Sequence, residues 1–129
     1  MNPSIIPCLI YRDAPKAIDW LCAAFGFEKH LVVPGDDGSI VHSQLQIPGG
    51  MVMISSRRDP KSATAVHPLY VVVKDPAALR VRAEAAGAEV GELVDHDYGG
   101  CGFPAKDLEG FEWYFGSYDP LDPSTHAHD

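Results

Sequence analysis

Apolar and polar positions follow first a strand period and then a helix period near the start of the chain. The run "IIPCLIYRD" is apolar up to its polar end, as expected of a buried strand, and "APKAIDWLCAAFGF" follows it. One apolar stripe at helical spacing runs through the second segment: Ile18, Leu21, Cys22 and Phe25. Asp13 is suited to cap this helix, Pro15 is tolerated in its first turn, and Gly26 is suited to end it. The pattern predicts a strand followed by a helix.

Three strand-like segments follow, and the whole order then recurs. "KHLVVPG", "SIVHSQLQI" and "MVMIS" are separated by turn-forming residues. "LYVVVKD" predicts another strand, and "PAALRVRAEAAG" predicts a helix capped by Asp75, begun by Pro76 and ended by Gly87. Its stripe is Leu79, Ala83 and Ala86. The segments "AEVGELVDHD", "FPAKD" and "FEWYFG" predict three closing strands.

The two series keep a nearly constant offset, which predicts an internal repeat. Asp13 and Asp75 are 62 residues apart, and Gly50 and Gly110 are 60 residues apart. We therefore predict a single α+β domain over residues 1–129, built from two tandem βαβββ repeats. Its predicted parts are repeat one at 5–56, an exposed linker at 57–66, repeat two at 67–118 and a loose tail at 119–129.

Composition narrows the class of protein. The chain has 18 acidic and 10 basic side chains and a formal net charge of −8, which argues against a nucleic-acid partner. No apolar stretch is long enough to predict a membrane span, and the N-terminus lacks the shape of a signal peptide. The three cysteines, Cys8, Cys22 and Cys101, have no metal-type spacing and favour free thiols in the cytoplasm.

Two segments carry a resemblance to a known family. "YRDAPKAIDWLCAAFGFE" in the first repeat and "YGGCGFPAKDLEGFEWYFGSY" in the second resemble the vicinal oxygen chelate superfamily, which includes glyoxalase I, extradiol dioxygenases, fosfomycin-resistance enzymes and bleomycin-resistance proteins. Within it the chain looks most similar to small glyoxalase/bleomycin-resistance-like proteins. The resemblance covers residues 5 to 118. It implies curled mixed sheets around a shared cleft, and a homodimer.

Strand alternation within that implied fold selects the residues that line the cleft. In "SIVHSQLQI" the predicted apolar face is Val41, Leu45 and Ile47, and in "FEWYF" it is Phe111, Trp113 and Phe115. Side chains of opposite parity, together with accessible neighbours, give the ligand-binding candidates: His42, Gln44, Gln46, Met53, Ser55, Tyr70, Glu112, Tyr114 and Cys101. Met51 joins them if the "MVMIS" strand is phased alike. Phe25, Phe27 and Tyr118 are assigned to the core with the apolar faces.

The resemblance also implies where a metal would be held. Relatives place one His or Glu ligand on each of four strands, and those positions fall at Ile6, Ser55, Leu69 and Tyr114, with Ile54 and Tyr70 as alternatives if a strand slips by one residue. These residues are poor ligands for a hard or borderline cation. No metal site and no cofactor is therefore expected. A set made from His42, His67 and Glu112, with or without Cys101, stays open as an atypical alternative.

Two functions follow as hypotheses. The first is a binding protein that sequesters a small organic molecule, including cationic ones, in the cleft without a metal. The second is an enzyme, either a glyoxalase-like lyase or isomerase with an atypical metal site, or a metal-free catalyst with His42 or Glu112 as base. Cys101 lies between glycines in "YGGCGF", but its acidic neighbours disfavour a reactive thiolate.

Overall fold

The computed structural model describes residues 5–57 and 68–127, and each of these two ranges forms a compact unit. The predicted linker, apart from Arg57, and the candidate ligand His67 lie outside the described residues. The first unit contains β1 (Cys8–Tyr11), α1 (Ala14–Phe25), β2 (Glu28–Pro34), β3 (Ile40–Ile47) and β4 (Gly50–Ser56). The second contains β5 (Leu69–Val72), α2 (Pro76–Ala85), β6 (Glu89–Val90), β7 (Val94–Asp95), β8 (Cys101–Lys106), β9 (Glu112–Gly116) and a short 3₁₀ turn (Pro123–Thr125).

Each unit forms a mixed sheet with the same strand order. The first sheet runs β1-β4-β3-β2, and the second runs β5-β9-β8-β6, with β7 also paired to β8. In each sheet the first and last strands of the unit, β1 with β4 and β5 with β9, are parallel neighbours, whereas the other pairs are antiparallel. The predicted α+β class and the duplicated strand order are therefore present in the structure.

Both helices begin after their predicted capping residues, and α1 ends at the predicted Gly26, whereas α2 ends at Ala85 with Ala86 as its C-cap, one residue before the predicted Gly87. The Asp13 side chain accepts a hydrogen bond from the backbone of Lys16 at 3.2 Å, and Asp75 accepts one from Ala78 at 3.1 Å. Gly26 ends α1 in the left-handed region at φ 77°. With 12 and 10 residues, neither helix in the described part of the chain is long enough to cross a membrane.

The core of each unit lies between its helix and one face of its sheet. In the first unit the buried side chains of α1 face the buried positions of β3 and β4, Leu45, Val52 and Ile54. The stripe predicted for α2 is only partly right, because Ala83 is buried while Leu79 and Ala86 are half-buried.

A β-bulge overturns one part of the predicted alternation in β3. The register between β2 and β3 shifts from Val33 opposite His42 to Pro34 opposite Ile40, which leaves Val41 unpaired. As a result Ile40 is 5% exposed and Val41 is 44% exposed, so the assignment of Val41 to the apolar face was wrong. Beyond the bulge the predicted phase holds, with Leu45 buried.

The predicted strand "AEVGELVDHD" is two strands of two residues, β6 and β7, separated by three residues that belong to neither. The break between β6 and β7 lies beside Pro104 of β8, which has no backbone N–H to donate to a neighbouring strand. The Gly91 N–H nevertheless reaches the Pro104 carbonyl oxygen at 2.8 Å. A side chain at Gly91 would meet the Pro104 ring, with an ideal Cβ 2.5 Å from Pro104 Cγ. Glycine is therefore required where the chain crosses this proline.

Two aromatic residues assigned to the core are only half-buried. Phe111 precedes β9, and its backbone N–H donates to Asp107 Oδ1 at 3.1 Å, so its position is set by the turn rather than by the strand. Tyr118 follows β9 and packs against Tyr98 and His126. Trp113 and Phe115 are buried as predicted, with exposed fractions of 2% and 0%.

The turn between β8 and β9 is built on the buried carboxylate of Asp107. Its Oδ1 accepts hydrogen bonds from the backbone N–H groups of Glu109 at 3.0 Å and Phe111 at 3.1 Å. Its Oδ2 accepts one from Trp113 Nε1, also at 3.1 Å. A buried carboxylate is stabilised by hydrogen bonds such as these, and removing it breaks all three of them.

We predict that Asp107→Ala lowers the free energy of unfolding by on the order of 2–4 kcal/mol, because it breaks the hydrogen bonds from one indole and two backbone N–H groups to a buried carboxylate. Urea denaturation measures this change. Glu92→Ala, at an exposed carboxylate of the same unit, is the control and should change the free energy by less than about 0.5 kcal/mol. Equal effects of the two substitutions would contradict the assigned role of Asp107.

Candidate functional site

The second sheet has one face covered by buried side chains and one face that is largely open. In β9 the buried Trp113 and Phe115 alternate with Glu112 and Tyr114, which point the opposite way. Tyr114 is paired with Pro104 of β8, and Glu112 with Lys106. We call the following set the open face: Tyr70 and Val72 of β5, Gly102, Pro104 and Lys106 of β8, and Glu112, Tyr114 and Gly116 of β9.

Two tyrosines are stacked at the centre of the open face. Tyr70 and Tyr114 are register partners on parallel neighbouring strands, and their ring centroids are 5.7 Å apart with an interplanar angle of 14°. The Tyr70 hydroxyl donates to the Tyr118 carbonyl oxygen at 2.7 Å. The Tyr114 hydroxyl shares a hydrogen bond of 2.7 Å with His96 Nε2. Both hydroxyls are thus engaged within the protein, and the rings are held in place.

Opposed glycines make room for these rings. Gly102 and Gly116 face each other across β8 and β9. An ideal Cβ at Gly102 would lie 2.6 Å from Tyr114 Cε1 and 2.8 Å from the Phe115 carbonyl oxygen. One at Gly116 would lie 3.0 Å from Tyr70 Cζ. The two tyrosine rings therefore pack against the backbone of these glycines. A larger residue at either position would overlap the rings.

The stacked pair continues into a larger aromatic cluster. His96 stacks on Tyr98 with centroids 4.8 Å apart, and Tyr98 meets Tyr118 edge-on at 4.7 Å. His96 also contacts Tyr114, at 5.8 Å. His96 and Tyr98 are not among the ligand-binding residues predicted from the sequence. The dense aromatic spacing in "HDYGG" was the only local sign of them.

The segment after β9 makes specific contacts that its composition did not predict. His126 stacks on Tyr118 at 4.7 Å and donates from Nε2 to the Asp119 carbonyl oxygen at 2.8 Å. The Ala127 N–H donates to the Tyr98 carbonyl oxygen, also at 2.8 Å. The chain passes so close to Gly99, at φ 122°, that an ideal Cβ there would lie 2.5 Å from the Ala127 nitrogen. Up to Ala127, the predicted loose tail is held against the aromatic cluster.

A pocket of about 490 Å³ lies in the second unit beside the stacked tyrosines. The apolar part of its lining includes Tyr114, Pro104 and Val90. The full lining comprises Pro68, Glu89, Val90, Gly91, Pro104, Ala105, Lys106, Glu112, Trp113 and Tyr114. A volume of this size suits a small organic molecule, because ligand pockets typically measure roughly 300–1,000 Å³.

The other predicted ligand-binding residues are distributed over the first unit. His42, Gln44, Gln46, Met53 and Ser55 share the face of the first sheet that points away from its buried side chains. Gln44 is paired with Met53, and Gln44 Nε2 donates to His42 Nε2 at 2.9 Å. These contacts place them on one sheet face.

Cys101 does not line the pocket. It has the same strand parity as Phe103 and Ala105, whose side chains are buried, and its Sγ lies 4.0 Å from Ser117 Oγ. The Cys101 N–H donates to the same oxygen at 3.0 Å. The structure therefore separates Cys101 from the group formed by Tyr70, Glu112 and Tyr114.

The residues present do not fit a divalent metal of the kind that the resemblance implies. β5 places Tyr70 on the open face and pairs Leu69 with the buried Trp113, so Tyr70 and Tyr114 occupy the two implied positions of the second unit. Their hydroxyls are neutral phenols already bound to protein groups. Among residues 5–57 and 68–127, no group of three or more His, Cys, Asp or Glu side chains could hold an ion.

Burial raises the pKa of both Tyr70 and Tyr114, with nearby tyrosines adding to the effect. A phenol whose pKa is higher in the folded state stabilises the fold fully below its unfolded pKa of about 10, and this contribution is lost as the pH rises through the folded value. We predict that the ultraviolet titration of tyrosinate has two steps at a higher pH than an ordinary tyrosine. Tyr70→Phe should remove one of these late steps, and Tyr114→Phe should remove the other. Survival of both late steps in each of the two variants would contradict this assignment.

A second prediction concerns the opposed glycines. Gly102→Ala should lower the free energy of unfolding by about 1–3 kcal/mol, because its Cβ would overlap the Tyr114 ring and β9 backbone. Gly50→Ala is the matched strand control, since its Cβ would meet only Ile47 at an ordinary 3.6 Å. Urea denaturation measures stability, and near-ultraviolet circular dichroism reports the tyrosine stack. An unchanged spectrum in Gly102→Ala would refute the close contact.

Two βαβββ units, each with parallel first and last strands, define the glyoxalase/bleomycin resistance fold. The chain belongs to the Glyoxalase/Bleomycin resistance protein/Dioxygenase superfamily, whose sequence profile matches residues 5–115. Among solved structures it is similar to TioX from Micromonospora sp. ML1, with a TM-score of 0.74 and 31% identity over 89% of this chain and 98% of that chain.

Two further comparisons are more limited, one in sequence identity and the other in coverage. The bleomycin-binding protein of Streptomyces verticillus, solved with copper(II)-bleomycin, has a TM-score of 0.67 and 19% identity over 92% of this chain and 98% of its own. An uncharacterized protein of Mycobacterium bovis is 38% identical over 55 residues, which is 43% of this chain and 36% of that relative. The match thus spans about a third of the curated relative's length.

Proposed function

We propose that this chain is a binding protein that holds a small, flat organic molecule on the open face of its second unit, without a divalent metal. The observation that carries the proposal is the pocket of about 490 Å³ beside Tyr114, whose ring is stacked on Tyr70 and whose hydroxyl is already hydrogen-bonded. A preformed, mainly apolar pocket with a few polar groups is typical of small-molecule sites.

The chemistry of the lining favours an aromatic ligand. Tyr114 offers a ring that its neighbours hold in one orientation, and Pro104 and Val90 offer apolar contact. Because the hydroxyl of Tyr114 is bound to His96, the residue contributes ring surface rather than a free hydroxyl. Stacking on an aromatic ring adds about 0.5–1.5 kcal/mol beyond the burial of area. The solved complex of the Streptomyces verticillus relative with copper(II)-bleomycin agrees with a binding role on this fold.

A second candidate is metal-free proton transfer, and the hydrogen bond between Tyr114 and His96 favours it. A phenol and an imidazole 2.7 Å apart beside a pocket can pass a proton to or from a bound molecule. Recovery of the bound molecule unchanged, with no exchange of its acidic C–H groups in heavy water, distinguishes sequestration from this activity. Cytoplasmic location and a homodimer stay predictions from cysteine usage and family resemblance.

The proposal predicts that an aromatic molecule binds more tightly than a saturated one of the same size. We expect 2-naphthol to bind about threefold to tenfold more tightly than decahydro-2-naphthol, because only the former gains the stacking energy. Tyr114→Leu should abolish this difference while keeping apolar volume. Isothermal titration calorimetry measures the affinities, and ¹³C-labelled tyrosine spectra locate the site.

Two controls make this test specific. Val81→Ala, on the exposed side of α2 with Val81 69% exposed, should leave both affinities unchanged. Chelator-treated protein and protein with added Zn²⁺ or Mn²⁺ should bind 2-naphthol equally. Equal affinity for the two alcohols would argue against an aromatic site, and a stoichiometric metal that strengthens binding would overturn the metal-free proposal.

A further inference from the structure

Three charged side chains form a row across one end of the pocket. Glu89 of β6 is the register partner of Lys106 of β8, and Lys106 is the partner of Glu112 of β9. Directly opposed residues of antiparallel strands lie on the same face. All three are exposed and line the pocket. The row thus presents a negative, a positive and a second negative group to the same space.

In the described part of the chain, these three side chains are not held in ion pairs with each other or with neighbouring residues. Within residues 5–57 and 68–127, none of the three makes an ion pair at 4.0 Å or less; the ion pairs found there include Lys29 with Asp19 and Arg80 with Glu84. Exposed ion pairs contribute only about 0–1 kcal/mol, so little is lost when such a group turns to a ligand instead. The ammonium and both carboxylates are available for contacts from the pocket.

The spacing between this row and the aromatic part of the pocket sets the size of a ligand. Pro104 and Tyr114 lie two residues along their strands from Lys106 and Glu112, and on the same face. Two residues of a strand span about 6.6–6.8 Å. A ligand whose ring lies against Tyr114 therefore reaches the charged row with a headgroup two or three bonds beyond the ring.

We propose, on the basis of the function proposed above, that the ligand is an aromatic molecule with a zwitterionic, amino-acid-like headgroup. Its carboxylate contacts the Lys106 ammonium, and its own ammonium contacts the carboxylates of Glu112 and Glu89. The ring lies against Tyr114 and Pro104. A lone cation leaves Lys106 without an opposite charge and a lone anion leaves the two glutamates without one, whereas a zwitterion matches the alternating row.

Four molecules with the same ring test the headgroup. L-tryptophan carries both charges, tryptamine only the cation, indole-3-propionate only the anion, and indole neither. Calorimetry at neutral pH and low salt should find tryptophan bound about threefold to tenfold more tightly than each of the others, the range expected of one or two exposed charge contacts. Added salt should reduce this preference.

Charge substitutions assign the contacts. Lys106→Gln should lower the affinity for tryptophan to that for tryptamine, and Glu112→Gln should lower it to that for indole-3-propionate. Lys74→Gln and Glu92→Gln, at exposed positions outside the pocket, are the matched controls and should keep the full preference. Urea denaturation checks that each variant stays folded.

The outcomes separate this inference from the function on which it rests. Tryptophan and indole binding with equal affinity, or tryptamine binding most tightly, would refute the zwitterionic headgroup and leave the aromatic site in place. Binding of 2-naphthol with no binding of any indole would also refute it. If neither 2-naphthol nor any of the four indoles binds, both the inference and the proposed function are wrong.

Discussion

The carboxylate of Asp107 fixes the register of β9, and the arrangement of the open face depends on that register. One carboxylate oxygen holds the turn through two backbone N–H groups, while the other holds the indole of Trp113 at 3.1 Å. With Trp113 tied on the core side, strand alternation forces Glu112 and Tyr114 to the opposite side. A slip of one residue would exchange the two sets, so a single buried charge orients the candidate site.

Local patterns predicted much of this fold because they depend on neighbours in sequence. The caps at Asp13 and Asp75 and the side to which Tyr114 points follow from short-range spacing, and the repeat follows because the same local pattern recurs along the chain. The bulge that exposes Val41 and the break of the sheet at Gly91 do not, because both are decided by the partner strand. The same reason explains why the contacts of the chain after β9 were missed.

The opposed glycines Gly102 and Gly116 lower the local stability of the sheet at the candidate site. Glycine in a strand adds no packing and loses the most conformational freedom on folding, so a facing pair weakens the sheet locally. Here Gly102 and Gly116 are covered by tyrosine rings instead of their own side chains. The rings recover buried contact, and their hydroxyls are satisfied by Tyr118 and His96. On the open face, glycines therefore occupy strand positions that glycine normally disfavours, because they make room for the tyrosine rings.

In the proposed site, affinity and selectivity would depend on two kinds of interaction, stacking on the tyrosine rings and contact with the charged row. The stacked rings are held by hydrogen bonds and act at short range, so their contribution is insensitive to salt and similar for any flat ligand. The row of Glu89, Lys106 and Glu112 is exposed and contributes little energy, and we propose that its alternating sign discriminates between headgroups. Metal coordination would have supplied strength and geometry together. With phenols at Tyr70 and Tyr114, we propose that selectivity depends on the charged end of the pocket.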